Sequence, residues 1–283
     1  MISGATGVLG VIGHPVAHSA SPAMHNAALQ ADGLDFVYVA FCVPPERATA
    51  VGDSMRALAI AGLNVTVPHK QAVMAGLDEI AAEAQAIGAV NTIANRDGYL
   101  TGYNTDAHGI AASLRQDGGL ERLPPRVVLL GAGGAARAIL YALLQAPEVE
   151  EITLQNRTAS RAEALAAELD PAATRTRVIA AGDPEPLRRA GLLINATSVG
   201  MAPAADASPV ADPSVFRAGQ VVYDTVYRPR RTLLLQQAEA AGARAVGGLG
   251  MLLHQGARAY EIWTGTSAPV AVMRRALEAA VGP

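Results

Sequence analysis

At 283 residues the chain is about twice the length of an average domain, so two domains are expected. Hydrophobic residues make up 51% and charged residues 17%, enough for a sizeable core and too apolar for extended disorder. A net charge of -3 with no basic stripe excludes a dedicated nucleic-acid binder, and the lack of any apolar run near ~18 residues excludes a membrane span.

Short apolar runs alternate with longer helix-like runs, the pattern of an α/β protein built mainly on parallel strands. In the first half the expected strands are Leu9 to Ile12, Phe36 to Phe41, Gly62 to Val65 and Thr92 to Ala94. The expected helices are Pro22 to Ala31, Arg47 to Ala59 and Glu79 to Ile87. A polar stretch with two prolines, Gln116 to Pro125, reads as a domain boundary. Strands then recur at Arg126 to Leu130, Glu151 to Gln155, Leu192 to Asn195 and Val221 to Asp224. Ala202 to Pro213, rich in Pro, Ala and Asp, reads as a loop. After Ala245 a glycine cluster at 247–250 leads into helical sequence up to Trp263, and a final helix follows.

Cys42, the single cysteine, excludes an internal disulfide framework and a Cys-rich zinc site; in an apolar run, it reads as core. None of the six histidines pairs at metal-ligand spacing with an acid, so no metal is expected. The first basic residue is Arg47, which leaves the N-terminus without the positive flank of a secretory signal. The expected location is the cytoplasm.

Lysine occurs once, at Lys70; the other 21 of the 22 basic residues are Arg. Codon bias accounts for the depletion but not for the survivor. Arg stays protonated, whereas Lys can give up a proton, so a lone Lys is a candidate for chemistry that Arg cannot perform.

The run Arg126 to Leu130 feeds directly into Gly131-Ala132-Gly133-Gly134-Ala135 and an apolar helix. This is G-x-G-x-x-A between strand and helix: a tight turn, room for a pyrophosphate, and a small residue where helix meets strand. The next strand ends in Asn156-Arg157-Thr158-Ala159-Ser160-Arg161, without the acid that holds the ribose 2′-hydroxyl of NAD. Two guanidinium groups and two hydroxyls suit a 2′-phosphate, which favours NADP; a solvated helix start capped by Thr158 or Ser160 is the plainer alternative. Gly4-Ala5-Thr6-Gly7-Val8-Leu9-Gly10 has similar spacing but no full strand before it, and is set aside.

Ser19 and Ser21 place two hydroxyls before a helix start, as a cap with Pro22 in the first turn, as a cradle for a carboxylate, or as both. Asn64 and Thr66 share one face of a strand that ends just before Lys70. Asn91 opens the next strand, and Asn104-Thr105-Asp106 closes the set with a carboxylate. Taken singly these are ordinary turn and cap residues. Taken together at strand ends, they suit a small ligand with several hydroxyls. His69 either lines that pocket or packs behind it.

The strings His14-Pro15-Val16-Ala17-His18-Ser19-Ala20-Ser21-Pro22, Asn64-Val65-Thr66-Val67-Pro68-His69-Lys70 and Gly88-Ala89-Val90-Asn91-Thr92 resemble the shikimate dehydrogenase family. Asn104-Thr105-Asp106, Gly131 to Ala135, Asn156-Arg157-Thr158 and Gly248-Leu249-Gly250-Met251 continue the resemblance in order over nearly the whole chain. It implies a substrate domain of residues 1–106 plus 246–283 and a Rossmann-type NADP domain of residues 107–245, the C-terminal helices packing back on the first. It implies NADPH-dependent reduction of 3-dehydroshikimate to shikimate, in aromatic amino acid biosynthesis. Lys70 and Asp106 match the family's catalytic pair. Ser19, Ser21 and Tyr227 match its carboxylate contacts, and Thr66, Asn91, Asp106 and Gln255, with Asn64 nearby, match contacts to the ring hydroxyls. Gly131, Ala132, Gly133, Gly134, Ala135, Asn156, Arg157, Thr158, Arg161, Thr225 and Gly248 match cofactor contacts. Family members often carry Asp where this chain has Gly247. The expected partner is the small-molecule substrate, with no nucleic acid and no membrane, for a monomer or homodimer. The rival readings are an NAD-using quinate/shikimate dehydrogenase, a folate enzyme of related plan, and a nucleotide sensor of the same fold without turnover.

Overall fold

Apolar runs bounded by glycine and proline become strands in the computed structural model, which describes residues 2–282. The chain forms two compact units, one running through Gly109 and resuming at Leu252, the other spanning Ile110–Met251.

The first unit opens with β1 (Gly7–Gly13), α1 (Ser21–Ala31) and β2 (Phe36–Cys42). A 3-10 turn over Pro45–Ala50 runs into α2 (Val51–Ala57), then β3 (Gly62–Val65) and a second 3-10 turn, Ala72–Gly76. β4 (Glu79–Ile80), α3 (Ala82–Ile87), β5 (Thr92–Arg96), β6 (Tyr99–Tyr103) and α4 (Asp106–Gln116) follow, the division between units falling within α4. The strands form one sheet in the order β2-β1-β3-β5-β6-β4. All neighbours are parallel except β5, which runs against both β3 and β6. That reversal matters for function, because it sets the start of β5 beside the ends of β3 and β6. Ile12, Leu63, Val65, Ile93 and Leu100 form the core beneath.

The second unit holds β7 (Arg126–Leu130), α5 (Gly134–Gln145), β8 (Glu151–Gln155), α6 (Ala159–Leu169), β9 (Thr176–Ile179) and α7 (Pro184–Arg189). It continues with β10 (Leu192–Asn195), β11 (Val221–Asp224), α8 (Leu233–Ala240) and β12 (Arg244–Gly247). Its sheet is wholly parallel, in the order β12-β11-β10-β7-β8-β9. This is the doubly wound dinucleotide-binding order, with its switch point between β7 and β10. Both faces are covered: Val127, Leu129 and Ile152 pack on one side, Val128, Leu130 and Leu193 on the other. Strands buried on both faces therefore read as unbroken apolar runs. α9 (Leu249–Thr264) and α10 (Val270–Val281) end the chain, and α10 packs on α1 within the first unit. Among the described residues no helix is long and apolar enough to cross a membrane.

Several expectations need correction. The helix expected over 47–59 begins as the 3-10 turn at Pro45 and ends at Ala57. Glu79 and Ile80 extend to pair with Thr101 and Gly102, so the helix expected from Glu79 starts only at Ala82. The strands β4, β6, β9 and β12 were not expected. Cys42 is exposed at the end of an edge strand, with its Sγ 3.5 Å from His14 Nδ1, and is not core. Ser21 does not cap α1: Ala20 holds the cap position, and the Ser21 N–H donates to Ser19 Oγ at 3.3 Å. The glycines at 7 and 10 lie inside β1, where a Cβ would press on Phe36 at 2.4 Å and on the Val39 carbonyl at 2.6 Å. Their spacing serves close strand packing, not a phosphate turn.

Candidate active site

In the first unit the register pairs Asn64 with Thr92 and Thr92 with Tyr103, which brings three strand ends to one edge of the sheet. Lys70 follows β3, Asn91 precedes β5, and Asp106 opens α4 just after β6. The helix start favours a carboxylate there. The Asp106 N–H donates to Asn104 Oδ1 at 3.0 Å, which fixes the turn. Lys70 Nζ donates to Asp106 Oδ2, and the two side chains are only 13% and 7% exposed. Largely out of water, the attraction between the two charges is screened less than in a surface ion pair. The Lys70 carbonyl accepts the Val90 N–H at 2.8 Å, tying the lysine backbone to the lead-in of β5.

Asn91 ties the cluster together. Its Nδ2 donates to Asp106 Oδ1 at 2.8 Å and lies 3.4 Å from Gln255 Oε1, while its Oδ1 accepts the Thr105 N–H at 2.7 Å. Asn64 is buried beneath, donating to Thr92 Oγ1 at 3.1 Å and accepting from the Tyr38 hydroxyl at 2.7 Å. Burial raises the Tyr38 phenol well above its ordinary pKa, and the neighbouring Ser21 hydroxyl works against that rise. Lys70, Asp106, Asn91, Gln255 and Asn64 are thus joined in one buried polar cluster. Ser21 is buried with Ser19 beside it, and Thr66 stands half-buried past the end of β3 with its N–H on the Ile12 carbonyl. His69 is buried with a ring nitrogen 2.7 Å from the Val43 carbonyl, so it packs.

In the second unit β7 turns at Gly131, whose φ of +112° favours glycine; a Cβ there would lie 3.0 Å from the Ala196 carbonyl. Gly133 caps α5 with no side-chain hydrogen bond, and a Cβ built on it would meet nothing within 4 Å. Ala132, Gly134 and Ala135 are half-buried around that open space, while Ala136 is packed against the sheet. A bare helix N-terminus with room in front of it fits a pyrophosphate. At the end of β8, Asn156 Nδ2 holds the Thr158 carbonyl at 2.8 Å. Thr158 takes the cap position of α6 without a side-chain bond, so neither hydroxyl is spent on capping there. Arg157 and Arg161 are exposed, and neither enters an ion pair among the described residues. The residues present therefore fit NADP.

Two positions expected to contact the cofactor, far apart in sequence, meet in this unit: a Cβ on Gly248 would lie 2.2 Å from the Thr225 carbonyl oxygen. Gly247 is different, since a Cβ there makes only ordinary contacts, at 3.5 Å to the Arg230 carbonyl. Tyr227, also in this unit, has its phenol pKa raised by burial. Asn195 and Asp224, missed in the sequence, fix this edge. Asp224 accepts from Asn195 Nδ2 at 2.9 Å, the Val226 N–H at 3.0 Å and the Thr232 hydroxyl at 2.6 Å. Burial raises the Asp224 pKa against those bonds. The available signal was a polar residue closing each of two neighbouring apolar runs.

Residues 11–93 match the shikimate dehydrogenase substrate binding domain, 120–201 the shikimate/quinate 5-dehydrogenase family, and 248–278 the shikimate 5′-dehydrogenase C-terminal domain. The chain is 50% identical over 279 residues to the shikimate dehydrogenase (NADP(+)) of Symbiobacterium thermophilum, covering 97% of this chain and 94% of that one. The chain belongs to the shikimate dehydrogenase family. A member from Thermus thermophilus, solved with NADP(H) and shikimate, superposes with a TM-score of 0.86 at 40% identity, over 97% of this chain and all of that one. A quinate dehydrogenase from Corynebacterium glutamicum, solved with NAD, superposes with a TM-score of 0.87 at 34% identity, over 96% and 98% of the two chains. Within the family, the buried Lys70–Asp106 pair and the glycine turn before α5 are the features of this chain on which a function can be argued.

Proposed function

We propose that this family member catalyses the reversible NADPH-dependent reduction of 3-dehydroshikimate to shikimate, a step in aromatic amino acid biosynthesis. The observation that carries the reading is the buried Lys70–Asp106 pair, with Asn91 and Gln255 converging on it. NADPH, when bound, supplies the hydride that reduces the ring ketone. As the ketone oxygen gains negative charge, the Lys70 ammonium stabilises it and delivers the proton. Asp106 accepts from that ammonium and holds it in place. In the reverse direction Lys70 Nζ is the base. Thr66, Asn91, Asp106 and Gln255, with Asn64 behind them, hold the ring hydroxyls, and Ser19 and Ser21 hold the carboxylate. Gly131 to Ala135, Thr225 and Gly248 hold the dinucleotide, and Asn156, Arg157, Thr158 and Arg161 hold its 2′-phosphate. The first unit is the substrate domain and the second the NADP domain. The enzyme works in the cytoplasm as a monomer or homodimer on a small-molecule substrate.

The test is reduced-nicotinamide absorbance with shikimate and NADP, repeated with quinate or NAD in their place. Rapid reduction with shikimate and NADP alone is expected. Comparable rates with quinate or NAD would move the chain to the catabolic quinate enzymes, and no reduction with any pair would overturn the catalytic reading.

A further inference from the structure

The amides behind Asp106 are fixed in orientation by their backbone partners. Asn91 Oδ1 accepts the Thr105 backbone N–H at 2.7 Å, which no amide nitrogen could do, so Asn91 Nδ2 must face Asp106. Asn64 is fixed independently: its Nδ2 lies 3.4 Å from the Asn91 carbonyl, an acceptor only, and 3.1 Å from Thr92 Oγ1. Asn64 Oδ1 therefore faces Tyr38, and the Tyr38 hydroxyl has to donate, at 2.7 Å. Thr92, having accepted from Asn64, donates to Asn91 Oδ1 at 3.1 Å, the nearer of its two neighbours, with Thr105 Oγ1 at 3.3 Å. Four bonds run head to tail, Tyr38 to Asn64 to Thr92 to Asn91 to Asp106, every donor pointing toward the carboxylate. Every member is buried.

We infer that Tyr38 is a positioning residue for the Lys70–Asp106 pair, acting through Asn64, Thr92 and Asn91; the inference rests on the proposed role of that pair. Its ring is held for the task. His25 stacks on it with centroids 4.4 Å apart and planes 10° from parallel, and Trp263 closes a second side at 6.0 Å. Aligned donors polarise one another in a poorly screened interior, and the last bond, on Asp106, gains most from the chain behind it. With its proton committed to Asn64, Tyr38 cannot also donate to a bound carboxylate. Its loss should therefore act chiefly on turnover, and reach substrate affinity only through the neighbouring Ser21 hydroxyl.

A double-mutant cycle tests this, because Asn64 is hydrogen-bonded to both Tyr38 and Thr92. Tyr38→Phe keeps the stacked ring and removes one hydroxyl, and Thr92→Val cuts the chain two links further on. Each variant is assayed for shikimate oxidation by NADP, with its unfolding temperature as the folding check. Each single change is expected to lower kcat about tenfold, and the double no further than about tenfold, because both break one chain. KM for shikimate in Tyr38→Phe should stay within about twofold, and Thr92→Ser, which keeps the hydroxyl, should restore kcat. If Thr92→Val does not fold, Thr92→Ala completes the same cycle. Unchanged kcat in Tyr38→Phe, independent losses that multiply in the double variant, or a raised KM at constant kcat would each overturn the inference. Asp106→Asn separates the two levels. Wild-type turnover in that variant overturns the proposed role of the pair itself, whereas a dead Asp106→Asn beside a normal Tyr38→Phe overturns only the relay.

Discussion

Replacing Lys70 by alanine removes the ammonium that lies on Asp106 and leaves the polar groups of Asn91, Gln255 and the two serines in place. The expected result is a kcat lower by about 10²–10⁴-fold, with KM for shikimate within a few-fold, measured by steady-state kinetics. Lys70→Arg should not rescue, because a guanidinium does not release its proton in this range and its flat fork does not fit a point contact. Near-normal turnover in either variant would remove Lys70 from the mechanism. At this scale the sequence was informative where a residue was chemically out of place: the one lysine, and the amides and acid that close apolar runs. Tyr38 was not legible. The unbroken apolar run Phe36–Cys42 marks it only as a strand residue, and its partner Asn64 stands 26 positions away. A similar distance in sequence hides Asp224, whose bond to Asn195 spans 29 positions.

Two glycines at turns of the second unit separate packing from binding. Gly248 sits between β12 and α9 with its Cα against the Thr225 carbonyl, and an added Cβ would have to push backbone aside from 2.2 Å. Gly248→Ala is therefore expected to destabilise by roughly 1–3 kcal/mol and also to weaken NADP binding, since Thr225 moves with the strain. Gly133→Ala meets nothing within 4 Å and its φ of -93° suits alanine, so the unfolding temperature should hold. The new methyl would occupy the space in front of α5, and NADP affinity should fall without loss of stability. A thermal melt beside a fluorescence titration with NADP decides both, and a Gly133→Ala variant that binds NADP normally would displace the pyrophosphate from that turn. The strand, glycine turn and helix from 126 to 145 were legible because every signal is local: an apolar run, a positive φ at Gly131, a small residue behind it. Glu79–Ile80 and Thr176–Ile179 were not, because short polar segments become strands only when a neighbour offers a free edge. Cys42 was misread for a related reason, since an apolar run does not say which strand of a sheet lies at its edge.

Acid should loosen the two units in different pH ranges. In the first unit, burial among Tyr38, Trp263 and α9 lowers the His25 pKa from 6.5 to about 3, and neither ring nitrogen has a hydrogen-bond partner. The folded unit keeps His25 neutral while the unfolded chain protonates it near 6.5, so between those values the unfolded state binds about one proton more. Stability contributed by the neutral ring is then full above 6.5 and lost as pH falls toward 3, at about 1.4 kcal/mol per pH unit. In the second unit, Asp170 is buried, which opposes its charge. Hydrogen bonds from the Arg175, Thr174 and Thr176 N–H groups and the Thr174 hydroxyl more than compensate and lower its pKa below 3.8. Its contribution is full above 3.8 and is lost only as pH falls further, through the lowered folded value. The first unit should accordingly weaken across pH 6.5 to 4, where Asp170 still supports the second. The single tryptophan, Trp263, lies in the first unit with its ring centroid 5.4 Å from that of His25, so its fluorescence reports the opening of that unit. Urea unfolding followed at Trp263 at pH 7, 6 and 5 should show stability falling by about 2 kcal/mol over that range in the native chain. His25→Phe keeps the ring and removes the titrating group, so its stability should stay nearly level from pH 7 to 5. Equal slopes in the two proteins would mean that His25 is protonated in the folded state, and the acid sensitivity of the first unit would then have to originate elsewhere.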